Sequence, residues 1–195
     1  MHIMLNDEPI QVTLLVVDVL ERLGIEYVIG GSLASALHGV ARATMDADIV
    51  ANICEEHVAP FVNALKSAFY VDDEMIRDAI KHHMSFNIIH LQTFFKVDIF
   101  VAKDREFDRM QIKRRTAYPL SNDLRQNAYV ASAEDTILSK LEWYRMGGEV
   151  SDRQWRDILG VIKVQANKLD LHYLRKEAHI LKVSDLLEKA ITDAL

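Results

Sequence analysis

Apolar positions recur at three- and four-residue spacing through residues 10–23, with Leu15, Val19, Leu20 and Leu23 on one face. That period predicts a core-facing helix, and Gly24 stops it. Residues 25–29 read as a short buried strand, Gly30-Gly31-Ser32 as a turn, and residues 32–37 as a short helix whose small side chains permit close packing against a sheet. Over Asp46–Ala51 the period changes to two. Ala47, Ile49 and Ala51 oppose Asp46, Asp48 and Val50, as on a strand with one buried face. Helices are expected over 55–69 and 75–82, and strands over 85–91 and 95–101, paired around Gln92-Thr93. A further strand near 111–118 ends at Pro119.

The texture changes after Asn122. Residues 132–146 predict a helix with Ser132 as N-cap and Glu134 and Asp135 in its first turn. Gly147-Gly148 ends it. Helices over 152–167, 171–180 and 184–194 follow. The expected architecture is α/β: a mixed β-sheet flanked by helices over 1–122, then a C-terminal helical segment over 123–195 packed on that core. There is no internal repeat.

Composition narrows this picture. A chain of 195 residues, half of them hydrophobic, suffices for one domain or a catalytic core with a small appendage. The net charge of −6 argues against a surface coated in positive charge for nonspecific DNA binding. It leaves room for a local patch: residues 103–115 hold Lys103, Arg105, Arg109, Lys113, Arg114 and Arg115 against Asp104, Glu106 and Asp108, a balance of +3. The plain reading of that stretch is a solvated helix and an edge strand; the functional one is an RNA contact. The single Cys54 forms no internal disulfide, which fits a reducing cytoplasm. The first residues lack a basic n-region, so no signal peptide is expected. The apolar run 12–20 includes Thr13 and Asp18 and is too short to span a bilayer.

Candidate chemistry lies in the acids. Residues i and i+2 on a strand point the same way, so Asp46 and Asp48 present two carboxylates to one spot. Hard oxygen donors of that kind suit Mg²⁺ or Mn²⁺. Asp98 stands in a very apolar strand, where an unpaired carboxylate is costly; it is either functional or held by a partner such as Lys96 or an arginine. Glycine at Gly30 and Gly31 lets backbone approach phosphate closely, and the N–H groups opening the next helix, with the Ser32 hydroxyl, suit anionic oxygens. Ser32 also suits a simple N-cap. Lys140 is five and six residues from Asp135 and Glu134, poor spacing for a local ion pair, which favours a cleft position. Arg156 and Asp157 read as structural ion pairs between helices. Trp143, Tyr144 and Trp155 read as helix packing rather than a base-stacking shelf. His82, His83 and His90 lack the spaced Cys/His set of a zinc site.

Gly30-Gly31-Ser32, then Asp46-Ala47-Asp48, then Asp98 resembles the DNA polymerase beta-type nucleotidyltransferase superfamily. Within it the chain looks most like AbiEii-type toxin transferases and their uncharacterised relatives. Residues 42–49 resemble their first motif, residues 132–140 their later acid–lysine helix, and Arg156-Asp157-Ile158 the element after it. The likeness covers roughly residues 25–160. It implies metal-dependent transfer of a nucleoside monophosphate from an NTP to an acceptor, either an RNA such as tRNA or a protein. It also implies a toxin role in the cytoplasm, with an antitoxin as partner. Asp46 and Asp48 would be metal ligands, Asp98 a third ligand or the group that helps deprotonate the acceptor, and Gly31 and Ser32 the phosphate cradle. Many polymerase-like members carry an arginine in the helix after the serine; here that helix reads Leu33-Ala34-Ser35-Ala36-Leu37. Arg42 or Lys140 would have to supply the charge. Without it, the alternative is a catalytically weak nucleotide-binding or partner-binding module, an antitoxin or scaffold. A glycosyltransferase is disfavoured, because the paired acids arrive too early in the chain.

Overall fold

The computed structural model describes residues 7–41, 43–120 and 127–194. In chain order they form α1 (Asp7–Arg22), β1 (Tyr27–Ile29), α2 (Gly31–His38), β2 (Asp46–Ala51), α3 (Glu55–Leu65), β3 (Phe69–Tyr70), α4 (Asp73–His82), β4 (Ser85–His90) and β5 (Lys96–Val101). Then come α5 (Glu106–Arg114), β6 (Thr116–Pro119), β7 (Asn127–Val130), α6 (Ala133–Met146), α7 (Asp152–Gln165), α8 (Leu171–Ile180) and α9 (Ser184–Ala194).

The strands make one mixed sheet in the order β3-β4-β5-β2-β1-β7-β6. β2 pairs with β5 in parallel and with β1 antiparallel; β7 runs parallel to β1. Ala47, Ile49 and Ala51 on β2 and Val97, Ile99 and Val101 on β5 are buried in the main core with the apolar faces of α1, α3 and α4. The alternate residues of the same strands face the other way and are half-buried. A second core joins Phe107 of α5 to α6, α7, α8 and α9. Between the two stands α2, whose Leu33 and Ala34 belong to the main core. Its C-terminal end abuts α7 so tightly that a Cβ on Gly39 would come within 2.8 Å of the Val161 backbone nitrogen and 2.9 Å of the Gly160 carbonyl carbon.

The expected mixed α/β architecture holds, with shifts at several elements. The helix expected to run to residue 69 ends at Leu65, because Phe69 is buried in β3 against the ring of His90. The strand expected from residue 111 begins only at Thr116. Gln111–Arg114 instead closes α5, where Phe107, Gln111 and Ile112 are buried together. β7 was not anticipated. The nominal boundary at 122/123 lies outside the described residues, and β7 beyond it sits between β1 and β6. Ser132 caps α6 as expected, its hydroxyl accepting from the Asp135 N–H at 3.1 Å.

Candidate active site

β2 and β5 carry Asp46, Asp48, Lys96 and Asp98 on the face turned away from the main core. Their parallel register sets Asp48 opposite Asp98 and Asp46 opposite Lys96. Three carboxylates and one ammonium therefore share adjacent strands about 4.8 Å apart. Lys96 Nζ lies 2.7 Å from Asp98 Oδ2. That bond, aided by the charges of Asp98, Asp46 and Asp48, raises the Lys96 pKa. Lys96 was read only as an optional partner of Asp98. The i−2 spacing that puts both on one face was the available clue.

The turn after β1 closes over Asp48. The Gly30 N–H donates to the Asp48 carbonyl at 2.9 Å, continuing the β1–β2 pairing. Gly31 has φ +54, a left-handed conformation that favours glycine. Its α-carbon is packed so closely on the Asp48 carboxylate that no Cβ fits. The Ser32 backbone N–H donates to that carboxylate. Burial pushes the Asp48 carboxyl up to about 6, reinforced by the negative charges of Asp46 and Asp98; the Ser32 N–H and the Lys140 ammonium pull the other way. On the far side of Asp46, the Thr44 hydroxyl donates to the Asp46 carbonyl at 2.8 Å. Arg42 lies outside the described residues.

These groups floor a cleft of about 710 Å³ lined by Gly30, Gly31, Ser32, Asp46, Asp48 and Lys140. Asp98, engaged by Lys96, is not among its lining residues. Lys140 does reach the cleft, but its ammonium is paired at 2.9 Å with Asp157 of α7, and both side chains are nearly buried. Asp157 thus makes the interhelical pair expected of it, whereas Arg156 bonds back to the Asp152 carbonyl of its own helix. Part of the lining is aromatic: Trp143 of α6 stands edge-on to Phe100 of β5 with centroids 5.6 Å apart. Tyr144 and Trp155 instead pack on each other beside the second core. Arg105 braces the rim, its guanidinium binding Asp108 at 2.5 Å and Glu142 at 2.6 Å. None of that network was read from sequence, because Glu142 is 37 residues away.

The donor set favours a hard divalent cation. Asp46 and Asp48 offer carboxylate oxygens on one face, and Asp48 is raised first by burial and then by the charges of Asp46 and Asp98, both of which a bound cation would offset. Among the described residues, three potential ligands converge within 4.8 Å only at Cys54, Glu56 and His57. There the His57 ring accepts from the Cys54 N–H at 3.1 Å, in a capping arrangement at the start of α3. Asp46, Asp48 and Asp98 do not converge to that degree. His82, His83 and His90 belong to no such cluster among the described residues.

No protein-family model matches the chain, and no curated protein sequence matches it. Solved structures do. An antigenic nucleotidyltransferase-like protein from Paracoccidioides brasiliensis superposes with TM-score 0.59 at 19% identity, over 96% of this chain and 93% of its own. The lincosamide antibiotic adenylyltransferase LnuA, with lincomycin bound, gives TM-score 0.52 at 14% identity, over 82% and 98%. The antibiotic-resistance factor ANT(2'')-Ia gives 0.53 at 12%, over 94% and 95%. At these identities the likeness is one of fold: the chain has the nucleotidyltransferase fold. Among the described residues, no helix is long and apolar enough to cross a membrane.

Proposed function

We propose that this protein is a metal-dependent nucleotidyltransferase that moves a nucleoside monophosphate from an NTP to an acceptor hydroxyl. The observation that carries the reading is the packing of the Gly30-Gly31-Ser32 turn onto Asp48, with Asp46 beside it and Asp98 opposite on β5. Asp46 and Asp48 would hold Mg²⁺ or Mn²⁺, and Asp98, the third-ligand alternative, is assigned instead to the acceptor. The bound metal supplies charge neutralisation for the triphosphate and for departing pyrophosphate. The turn N–H groups, Ser32 and Lys140 bind and orient the phosphates. The acceptor oxygen forms a bond to the α-phosphorus, the bond to the β-phosphate oxygen breaks, and Asp98 takes the acceptor proton. Lys96 positions Asp98 for that role. The acceptor class drawn from the superfamily resemblance is an RNA such as tRNA, or a protein, and the biological role is that of a cytoplasmic toxin with a cognate antitoxin.

A second reading rests on the ion pairs that already occupy the two lysines nearest the acids, Lys96 with Asp98 and Lys140 with Asp157, of which only Lys140 lines the cleft. It makes the chain a nucleotide-binding or partner-binding module, itself an antitoxin or scaffold. One experiment separates the two. Purified protein is incubated with each NTP labelled at the α-phosphate, Mg²⁺ or Mn²⁺, and cellular RNA plus protein extract. The transferase reading expects a labelled RNA or polypeptide that disappears with Asp46→Asn. NTP binding without label transfer under any condition would replace it with the binding module.

A further inference from the structure

A second cavity of about 720 Å³ adjoins the cleft, and His83 and Lys103 line both. Its wall carries the cations Lys103, Arg109, Lys113 and Arg115 against the acids Glu26 and Asp104. The six cations of residues 103–115 divide by position. Arg105 is tied to Asp108 and Glu142. Arg114 is held inside the fold by Glu134 and Asp135, its guanidinium 3.9 Å above the Tyr173 ring. The remaining four all face this cavity.

Arg109 and Lys113 are one turn apart on α5 and share a face. Lys103 and Lys113 have no hydrogen-bond or ion-pair partner among the described residues. Arg109 pairs with Asp104, but both side chains are exposed, and such a pair holds weakly against a competing anion. Arg115 lies over the half-exposed Tyr129 ring at 4.6 Å, donates to the Ile112 carbonyl at 2.6 Å and reaches Glu26 only at 3.8 Å, so its charge is oriented at the wall without a close carboxylate. Four cations gathered beside one aromatic ring, on a chain of net charge −6, select for an extended polyanion with flat groups to stack. A single free phosphate would need fewer cations, and an acidic peptide offers no base for Tyr129. β5 connects the two cavities: it advances roughly 10 Å from Asp98 to Val101, and Lys103 follows two residues later.

Building on the transferase reading of the cleft, we propose that this basic cavity holds the phosphodiester backbone of a single-stranded nucleic acid whose end is led into the cleft as acceptor. The test is fluorescence anisotropy of the full chain with short labelled RNA and DNA strands across a salt series. Wild type is compared with Arg109→Ala/Lys113→Ala, two exposed positions whose folding is checked by circular dichroism. The proposal expects at least about a tenfold loss of affinity in the double variant and a salt slope shallower by about 1.4, the share of two phosphate contacts on a single strand. Preference between the RNA and DNA arms assigns the acceptor type. No strand binding, equal binding by wild type and variant, or displacement by polyglutamate as effective as by unlabelled strand would overturn it. NTP binding by wild type with Mn²⁺ is measured in parallel. Variant-sensitive strand binding without NTP binding keeps the nucleic-acid site and removes the transferase reading. NTP binding with a negative strand result does the reverse.

Discussion

The Asp48 carboxyl makes the stability of this fold depend on pH in an unusual direction. An unfolded aspartate titrates near 3.9, whereas the folded protein holds this proton up to about 6. The folded state therefore favours the protonated form. Its contribution is most favourable below about pH 4 and is lost by about pH 6, a change of about 3 kcal/mol. Asp48→Asn should be more stable than the metal-free wild type at neutral pH, with the gap closing towards pH 4; paired urea melts would show it, and a pH-independent gap would refute the cause given. Protons compete with cations for the same oxygens, so the stabilisation of wild type by Mn²⁺ should shrink when the pH falls from about 7 to about 5. Gly31→Ala should lower Tm and abolish nucleotide binding, since the new methyl meets the Asp48 carboxylate and the backbone is left-handed. At this scale the sequence was informative where geometry is local. Alternation put Asp46 and Asp48 on one face, and an acid in an apolar strand marked Asp98. The sequence offered Lys96 or an arginine as the partner of Asp98, and the fold selects Lys96.

Between elements, the Lys140–Asp157 pair is the cross-link that joins α6 to α7 at the cleft. Removing Asp157 leaves the nearly buried Lys140 ammonium without this ion-pair partner, a loss of about 3–5 kcal/mol, whereas Lys140→Met with Asp157→Leu removes both charges and should cost far less. A double-mutant cycle in urea measures the coupling; additive losses would show that the pair is not the link. The NTP affinity of the double variant then reports what Lys140 does for the ligand apart from the fold. Elements were legible in proportion to how regular their burial is. β2, α8 and α9 fall where the sequence pattern put them, because each has one continuous buried face. α5 was half misread because Arg109, Lys113 and Arg114 interrupt its apolar positions and β6 follows after one residue. β7 has only four residues, two of them exposed, which is too little alternation to register.

Across the whole molecule, β7 fills the sheet position between β1 and β6. A fragment ending at residue 122 would lack it, leaving β6 without its partner and β1 with an open edge. Such a fragment should be recovered as aggregate or lack the cooperative thermal transition of the full chain; a soluble, cooperatively melting fragment would show that the first 122 residues fold alone. The run of helices from Ala133 onwards was visible in the sequence pattern, but β7, the strand just before it, was not. The α2–α7 crossing extends this point to the chemistry. Gly39 stands at one end of an eight-residue helix whose other end is the turn around Asp48, roughly 12 Å away. A methyl at Gly39 would have to wedge α2 off α7, and a rigid helix transmits that wedge to its far end. The shape of the turn over Asp48 is thus tied to a contact outside the cleft, so a substitution at Gly39 would alter the cleft while leaving every acid in the sequence.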